Sequence, residues 1–280
     1  MNGYSDGYFN LIISGGCPGG VNMAADLFLL NKYRTEGDFS SRPTLRLYYF
    51  SPPALSLGFF QKDKDTGESI ILKAKNKHYD IIRRPTGGRA VLHKNEITYC
   101  VVSSYKSGIF AGKLLETYKK AGEFLYFFFT AGLGLNPDDG LYRRDGKKIN
   151  KTNKPVKKSD FNCFLKAHPY EITFGGKKIC GNSQRRGETA FLQHGSIYID
   201  YNPLEHIELF EDGNFNAGYF NNITGIKQEL TKVGKKFDLS FRNLSEVLAK
   251  SFQDAYNLKP LLMSPQEFGD AAGRVRKAQA

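Results

Sequence analysis

Apolar and polar positions change period along this chain, and the changes mark its elements. Between Gly20 and Tyr33, Met23, Leu27 and Leu30 recur at helical spacing and Asn22 is a candidate cap, so a helix is expected there. Leu45–Tyr49 alternates with a period of two, Pro52-Pro53 interrupts, and Leu55, Leu57 and Phe59 resume the alternation. Further strands are expected at Asp80–Arg84 and Ile97–Ser103, around a loop at Pro85–Arg89. Leu114, Tyr118, Ala121, Leu125 and Phe128 step by 4, 3, 4 and 3, an amphipathic helix that ends near Gly132 and Gly134. Tyr170–Phe174 and Lys177–Cys180 flank Gly175-Gly176, and two glycines supply the positive φ angles of a two-residue hairpin turn. Phe191–Asp200 reads as a strand. Leu244, Val247, Leu248, Phe252 and Tyr256 line one helix face, and Ser264-Pro265-Gln266-Glu267 is a capping box opening a last helix. Neither an internal repeat nor a linker rich in Pro, Gly or Ser divides the chain. The expectation is one mixed α/β domain over residues 1–280, with a helical portion over roughly 240–280.

Composition narrows the class. The chain has 280 residues, 40% hydrophobic, a globular balance long enough to bury a core without disulfides. Its longest strongly apolar run, Phe124–Phe129, is six residues, far short of the roughly 20 that span a bilayer. The opening MNGYSDGYFN has neither a basic region nor an apolar one, so no secretory leader is expected. Cys17, Cys100, Cys163 and Cys180 contain no C-x-x-C, so reduced cytoplasmic thiols are expected rather than a metal ribbon or a redox pair.

Charge adds a partner. Lys plus Arg is 40 against 28 acidic residues, a net +12. Residues 142–158 hold eight Lys/Arg against one Asp. Such a run reads first as a solvated loop, and otherwise as a docking surface for an acidic partner.

Four segments carry candidate chemistry. Arg83-Arg84-Pro85-Thr86-Gly87-Gly88-Arg89-Ala90-Val91-Leu92-His93 has paired glycines that let a ligand approach backbone N–H groups, with arginines around them. It lacks the Gly-Lys-Ser/Thr ending of a Walker loop and the Gly-x-Gly-x-x-Gly of a dinucleotide site. Lys178-Ile-Cys-Gly181-Asn-Ser-Gln184 sends a lysine out of a hairpin strand. Gln193-His194-Gly195-Ser196 places a histidine within an alternating strand, and Asn162-Cys163-Phe164 follows the basic stretch. Taken singly, each is an ordinary turn, a solvated lysine, a structural histidine or a small buried cysteine.

In this order, however, they resemble the signature of the lipoate/octanoate transferases and ligases of the biotin/lipoate A/B protein ligase superfamily. Asn22-Met23-Ala24, Arg46-Leu-Tyr48 and Ser56-Leu-Gly58-Phe-Phe-Gln61 extend the resemblance, which covers roughly residues 20–200. The ligases resemble Arg-Arg-x-Ser-Gly-Gly-Gly, whereas this chain has Thr86-Gly87-Gly88-Arg89 and the pair Cys163-Phe164 ahead of the lysine hairpin. The match is closer to the Cys-dependent octanoyltransferases.

That resemblance implies a class II synthetase-like fold, with a mixed, mostly antiparallel sheet flanked by helices. It implies transfer of octanoyl from acyl carrier protein to a lysine of a lipoyl domain, the glycine cleavage H protein first, through an octanoyl-Cys163 thioester. No cofactor or metal is called for, because a thioester donor is already activated. Cys163 and Lys178 would be catalytic, with the lysine stabilising the thiolate and polarising the acyl carbonyl. Arg84, Thr86, Gly87, Gly88, Arg89, His93, Gly181, Gln184, His194 and Gly195 would bind substrate. Neither nucleic acid nor membrane is an expected partner, and a cytoplasmic monomer is expected. An ATP- and magnesium-dependent lipoate ligase acting through lipoyl-AMP is the alternative. A non-catalytic homologue binding acyl carrier or nucleic acid is the other. Three segments depart from the family. Lys94 stands where an acid commonly follows the motif histidine. Gly181-Asn182-Ser183-Gln184 replaces Gly-Ser-Ala-Gln. Cys180 replaces a small apolar residue and is expected to point away from Lys178; Cys17 and Cys100 are expected to pack.

Overall fold

A six-stranded mixed sheet organises the chain. The computed structural model describes residues 7–35, 42–62, 67–106, 108–138, 171–211 and 217–264. Strand β1 (Tyr8–Cys17) leads into helix α1 (Gly19–Thr35), then β2 (Thr44–Phe50), β3 (Ala54–Leu57), α2 (Glu68–Asn76), β4 (Asp80–Arg83), β5 (Val91–His93) and β6 (Glu96–Ser104). Helix α3 (Leu114–Phe127) continues into a π-helical turn, Phe128–Gly132. Then come β7 (Thr173–Phe174), β8 (Lys177–Lys178), β9 (Cys180–Arg186), β10 (Ala190–Tyr198), α4 (Pro203–Phe210), a 3₁₀ turn at Ala217–Asn222, α5 (Ile226–Lys232), α6 (Phe241–Tyr256) and β11 (Lys259–Leu262).

The main sheet runs β11-β1-β2-β6-β10-β9, with β11, β1 and β2 parallel and the remaining pairings antiparallel. Strand β6 is buried on both faces. Ile97, Tyr99 and Val101 join a core with Phe124 and Leu125 of α3 and Leu248 and Phe252 of α6. Cys100 and Val102 face the opposite core, with Met23, Leu29 and Leu30 of α1. A second sheet, β4-β3-β5, packs against α2 and α4 in a third core. The expected glycine hairpin forms: Thr173 pairs with Lys178 and Phe174 with Lys177, around Gly175 and Gly176 at φ 56° and 75°.

Of the helical portion expected over roughly 240–280, the described residues form a helix and then a strand. Helix α6 stops at Tyr256, where Asn257 takes a left-handed conformation (φ 52°), and the chain then adds β11 to the sheet edge beside β1. The capping box at 264–267 lies, apart from Ser264, outside the described residues. Among the described residues no helix is long and apolar enough to cross a membrane.

His206 of α4 gives the fold a measurable acid sensitivity. Its Nδ1–H donates to the Asn202 carbonyl (3.1 Å), and Nε2 meets the Tyr198 hydroxyl (3.0 Å). Burial pulls its pKa down to about 4, against the opposing pull of the Asn202 hydrogen bond. The unfolded chain therefore binds the proton more readily, and stability falls as pH drops from about 6.5 toward 4. Against His206→Phe, wild type is expected to lose about 3 kcal/mol across that window, measured by urea unfolding at each pH. A pH-independent difference would remove His206 as the cause.

Candidate active site

The glycine loop is shaped by Arg84. This side chain is buried, and its guanidinium donates to the Gly87 carbonyl (2.9 and 3.2 Å), the Arg89 carbonyl (2.7 Å), and the Ser56 carbonyl and hydroxyl (3.2 and 3.1 Å). Its N–H groups thus hold loop backbone as a strut as well as bordering the site, a role that spacing alone did not reveal. Gly88 takes φ 99°, and its carbonyl crowds Gly58 so closely that a Cβ there would lie 1.9 Å from the oxygen. Around Gly87 nothing lies within 4 Å of the position a Cβ would take.

Thr86 ties this loop to the main sheet. Its hydroxyl meets Nε2 of His194 on β10 at 2.7 Å, and His194 Nδ1 meets Oδ2 of Asp26 on α1 at 2.9 Å. Asp26 is fully buried and also receives Arg46 Nη1 (2.7 Å) and the Tyr48 hydroxyl (2.9 Å). Burial alone would raise the Asp26 carboxyl, but the His194 hydrogen bond and the Arg46 guanidinium outweigh it and hold it below its usual value. Burial lowers His194 against the pull of Asp26. The neutral ring therefore donates Nδ1–H to the carboxylate and accepts the Thr86 hydroxyl proton at Nε2.

A second buried network surrounds His93. Nε2 meets Ser56 Oγ at 2.7 Å, while Nδ1 lies 3.0 Å from both Glu96 Oε2 and Ser196 Oγ. Thr98 donates to the other Glu96 oxygen (2.5 Å). Glu96 thus holds the histidine from three residues downstream. Lys94, where the family has an acid, instead pairs with Glu205 at 2.8 Å.

Both networks border one cavity, with about 430 Å³ of empty space partly open to solvent. Met23, Tyr48, Phe50 and Val91 supply apolar wall; Ser56, Arg84, His93, Thr98, His194 and Ser196 supply polar groups; Gly181 and Gly195 border it as well. Gly195 has a packing reason, since a Cβ there would lie 2.2 Å from Asn182 Oδ1.

Lys178 is held in a buried ion pair, its Nζ 2.7 Å from Glu171 Oε1, with 3% and 2% of the two side chains exposed. It does not line the cavity, although Gly181 on the next strand, β9, does. Gln184 is not in the cavity wall; its amide meets Thr117 (3.1 Å) and Gln193 (3.0 Å). Arg89 is half-buried and is not in the cavity wall. Cys180 is also not remote from Lys178. The strand is interrupted at Ile179, so alternation does not carry across, and Lys178 acts on the Cys180 thiol electrostatically. Burial and the Glu171 carboxylate nevertheless push that thiol far above its usual range. Cys163 and the basic stretch 142–158 lie outside the described residues. Among the described residues no three His, Cys, Asp or Glu side chains cluster closely enough to hold a metal ion.

Sequence reasoning gave no site role to Asp26, Glu171 or Glu96, although Glu96 opens the Glu96-Ile-Thr-Tyr99 segment that follows the motif histidine. Asp26 left one signal, as the only charged residue between Gly19 and Leu30.

The chain matches the family described as lipoyl protein ligase A/B catalytic domain over residues 18–256. It is 32% identical over 247 residues to octanoyltransferase LipM of Clostridioides difficile, covering 84% of this chain and 83% of that one. It is 30% identical over 272 residues to octanoyltransferase LipM of Geobacillus kaustophilus, covering 92% and 91%. Among solved structures, a lipoate-protein ligase A bound with ATP superposes with a TM-score of 0.67 at 17% identity, covering 96% of this chain and 94% of that one. LipL1 of P. falciparum in complex with lipoate gives 0.60 at 16%, covering 94% and 70%. At those identities the structural likeness speaks for the fold, the biotin/lipoate ligase type.

Proposed function

This chain belongs to the lipoyl protein ligase A/B catalytic domain family, and we propose that it transfers octanoyl from acyl carrier protein to a lysine of a lipoyl domain during lipoate synthesis. The observation that carries this reading is the cavity lined by Arg84, Val91 and His93 of the glycine-loop motif and by Gly181 and His194–Ser196, in a chain whose relatives are octanoyltransferases over more than four-fifths of their length. An apolar wall suits an alkyl chain, at about 0.8 kcal/mol per buried CH₂.

The proposed chemistry has two steps. The Cys163 thiolate attacks the octanoyl carbonyl, and the carrier's thiolate leaves. The amine of the acceptor lysine then attacks octanoyl-Cys163, loses a proton, and releases the Cys163 thiolate. Lys178 is the proposed cation for the thiolate and the developing oxyanion, with Glu171 as its counter-charge. Thr86, Gly87, Gly88, Gly181, His194 and Gly195 shape the acyl site; Arg84 and the His93 network brace it. The glycine cleavage H protein is the proposed acceptor, and a cytoplasmic monomer without metal or nucleotide is part of the same proposal.

Wild type incubated with octanoyl-acyl carrier protein and apo H protein is expected to octanoylate the acceptor without ATP or magnesium. Octanoylation that requires free octanoate, ATP and magnesium would replace this reading with the ligase.

A further inference from the structure

We infer that the exposed Phe59-Phe60 turn, flanked by Arg83 and Arg185, is the surface on which the acidic carrier protein docks to deliver its acyl group. The inference rests on the octanoyl-transfer reading and adds the place of contact. Phe60 is 83% and Phe59 46% exposed; Phe60 is the most exposed large apolar side chain among the described residues. Two adjacent aromatic rings in water are unfavourable unless a partner covers them, and aromatic residues with arginine are the composition of binding hot spots.

The turn is built to stand where it does. Strand β3 ends at Leu57, and Gly58 packs against the Gly88 carbonyl, where no Cβ fits. Phe59 N–H donates to the Thr86 carbonyl (2.9 Å), and Gln61 N–H closes the turn on the Gly58 carbonyl (3.0 Å). Arg83 braces it by donating to the Gly58 carbonyl (2.9 Å). The aromatic pair is thereby fixed to the glycine loop, whose flanking residues Arg84 and Val91 line the acyl cavity, so a partner held on it lies next to that cavity.

Charge selects the partner. The Arg185 guanidinium lies 5.2 Å from the Phe59 ring centroid and donates to the Pro85 carbonyl (3.2 Å). It sits two residues beyond Ser183 on the same face of β9, and Ser183 borders the cavity. Arg83 is exposed. On a chain of net +12, this rim complements an acidic carrier protein, and long-range attraction would speed its arrival.

The test compares two donors, octanoyl-acyl carrier protein and octanoyl-pantetheine, in wild type, Phe60→Ser and Arg185→Glu. Each substitution is expected to lower kcat/KM tenfold or more with the protein donor, mainly through KM, and to leave the small thioester within twofold. Raising salt is expected to weaken the wild-type protein donor and to have less effect on Arg185→Glu. Equal losses with both donors would assign these residues to the fold of the glycine loop and overturn docking. No loss with either donor, or a raised KM for the lipoyl-domain acceptor alone, would overturn it too. A wild type that uses neither donor would remove octanoyl transfer itself, and the inference with it.

Discussion

Cys163→Ala is expected to abolish the acyl-enzyme and to reduce octanoyl transfer by at least about a thousandfold, the scale on which removing a covalent nucleophile acts. Intact mass after mixing with octanoyl-acyl carrier protein is the measurement. Wild type should gain one octanoyl group that hydroxylamine removes, and the variant none. The other cysteines make this assignment sharp. Cys100 and Cys180 are fully buried, and burial pushes both thiols well above their usual value; carboxylates add to the effect, Asp26 on Cys100 and Glu171 on Cys180. The Cys180 thiol also donates to Asn182 Oδ1 at 2.9 Å. A protonated, hydrogen-bonded core thiol is a poor nucleophile. Cys17, half-buried at the end of β1, is the control: Cys17→Ala should keep the adduct. An adduct that survives Cys163→Ala would reject the thioester mechanism.

Much of this frame is legible in the sequence, and the parts that are not have physical causes. Helix α3 and the Gly175-Gly176 hairpin each rest on a local pattern, a 3.6-residue stripe and a turn that needs positive φ, which no distant contact is required to complete. Strand β1 escapes the same reading because it is paired in parallel on both sides; its run of Phe9, Asn10, Leu11 and Ile12 is continuously buried and does not alternate. Strand β11 is four exposed residues including a proline, and only its pairing with β1 makes it a strand. In the site, motif order marked Thr86, His93 and His194 but not what they touch. His194 and Asp26 are 168 residues apart in sequence, and a single acid on a helix reads as a solvated position until its partners are seen. Motif spacing likewise does not reveal that Gln184 meets Thr117 and Gln193 and stays out of the cavity wall.

Asp26→Asn is the substitution expected to damage stability and transfer together. One carboxylate serves three buried donors, Arg46, Tyr48 and His194. An amide keeps the shape, but it removes the charge and replaces one acceptor oxygen with a donor. The Arg46 guanidinium, 2% exposed, would then sit buried without its counter-charge. Breaking one side of such a pair costs roughly 3–5 kcal/mol. His194 would lose the acceptor that fixes its Nδ1–H tautomer, so the ring would present N–H toward Thr86 in part of the molecules and release the hydroxyl that anchors the glycine loop. Octanoyl transfer is expected to fall about a hundredfold or more, by analogy with the loss when a histidine's orienting carboxylate is removed.

The pH dependence identifies the cause. The Asp26 carboxyl is held below 3.8 in the folded chain, so its contribution is present above that value and is lost as pH falls through the folded pKa. His194 is held below 6.5, so wild type also loses stability as pH drops beneath 6.5. The gap between wild type and Asp26→Asn in urea midpoint should therefore be widest near neutrality and narrow at acid pH. Thr86→Val separates the two roles: it should reduce transfer while costing much less stability, because the Asp26–Arg46 pair stays intact. Equal urea midpoints for wild type and Asp26→Asn at pH 7, with transfer unchanged, would show that the carboxylate supports neither the fold nor the loop.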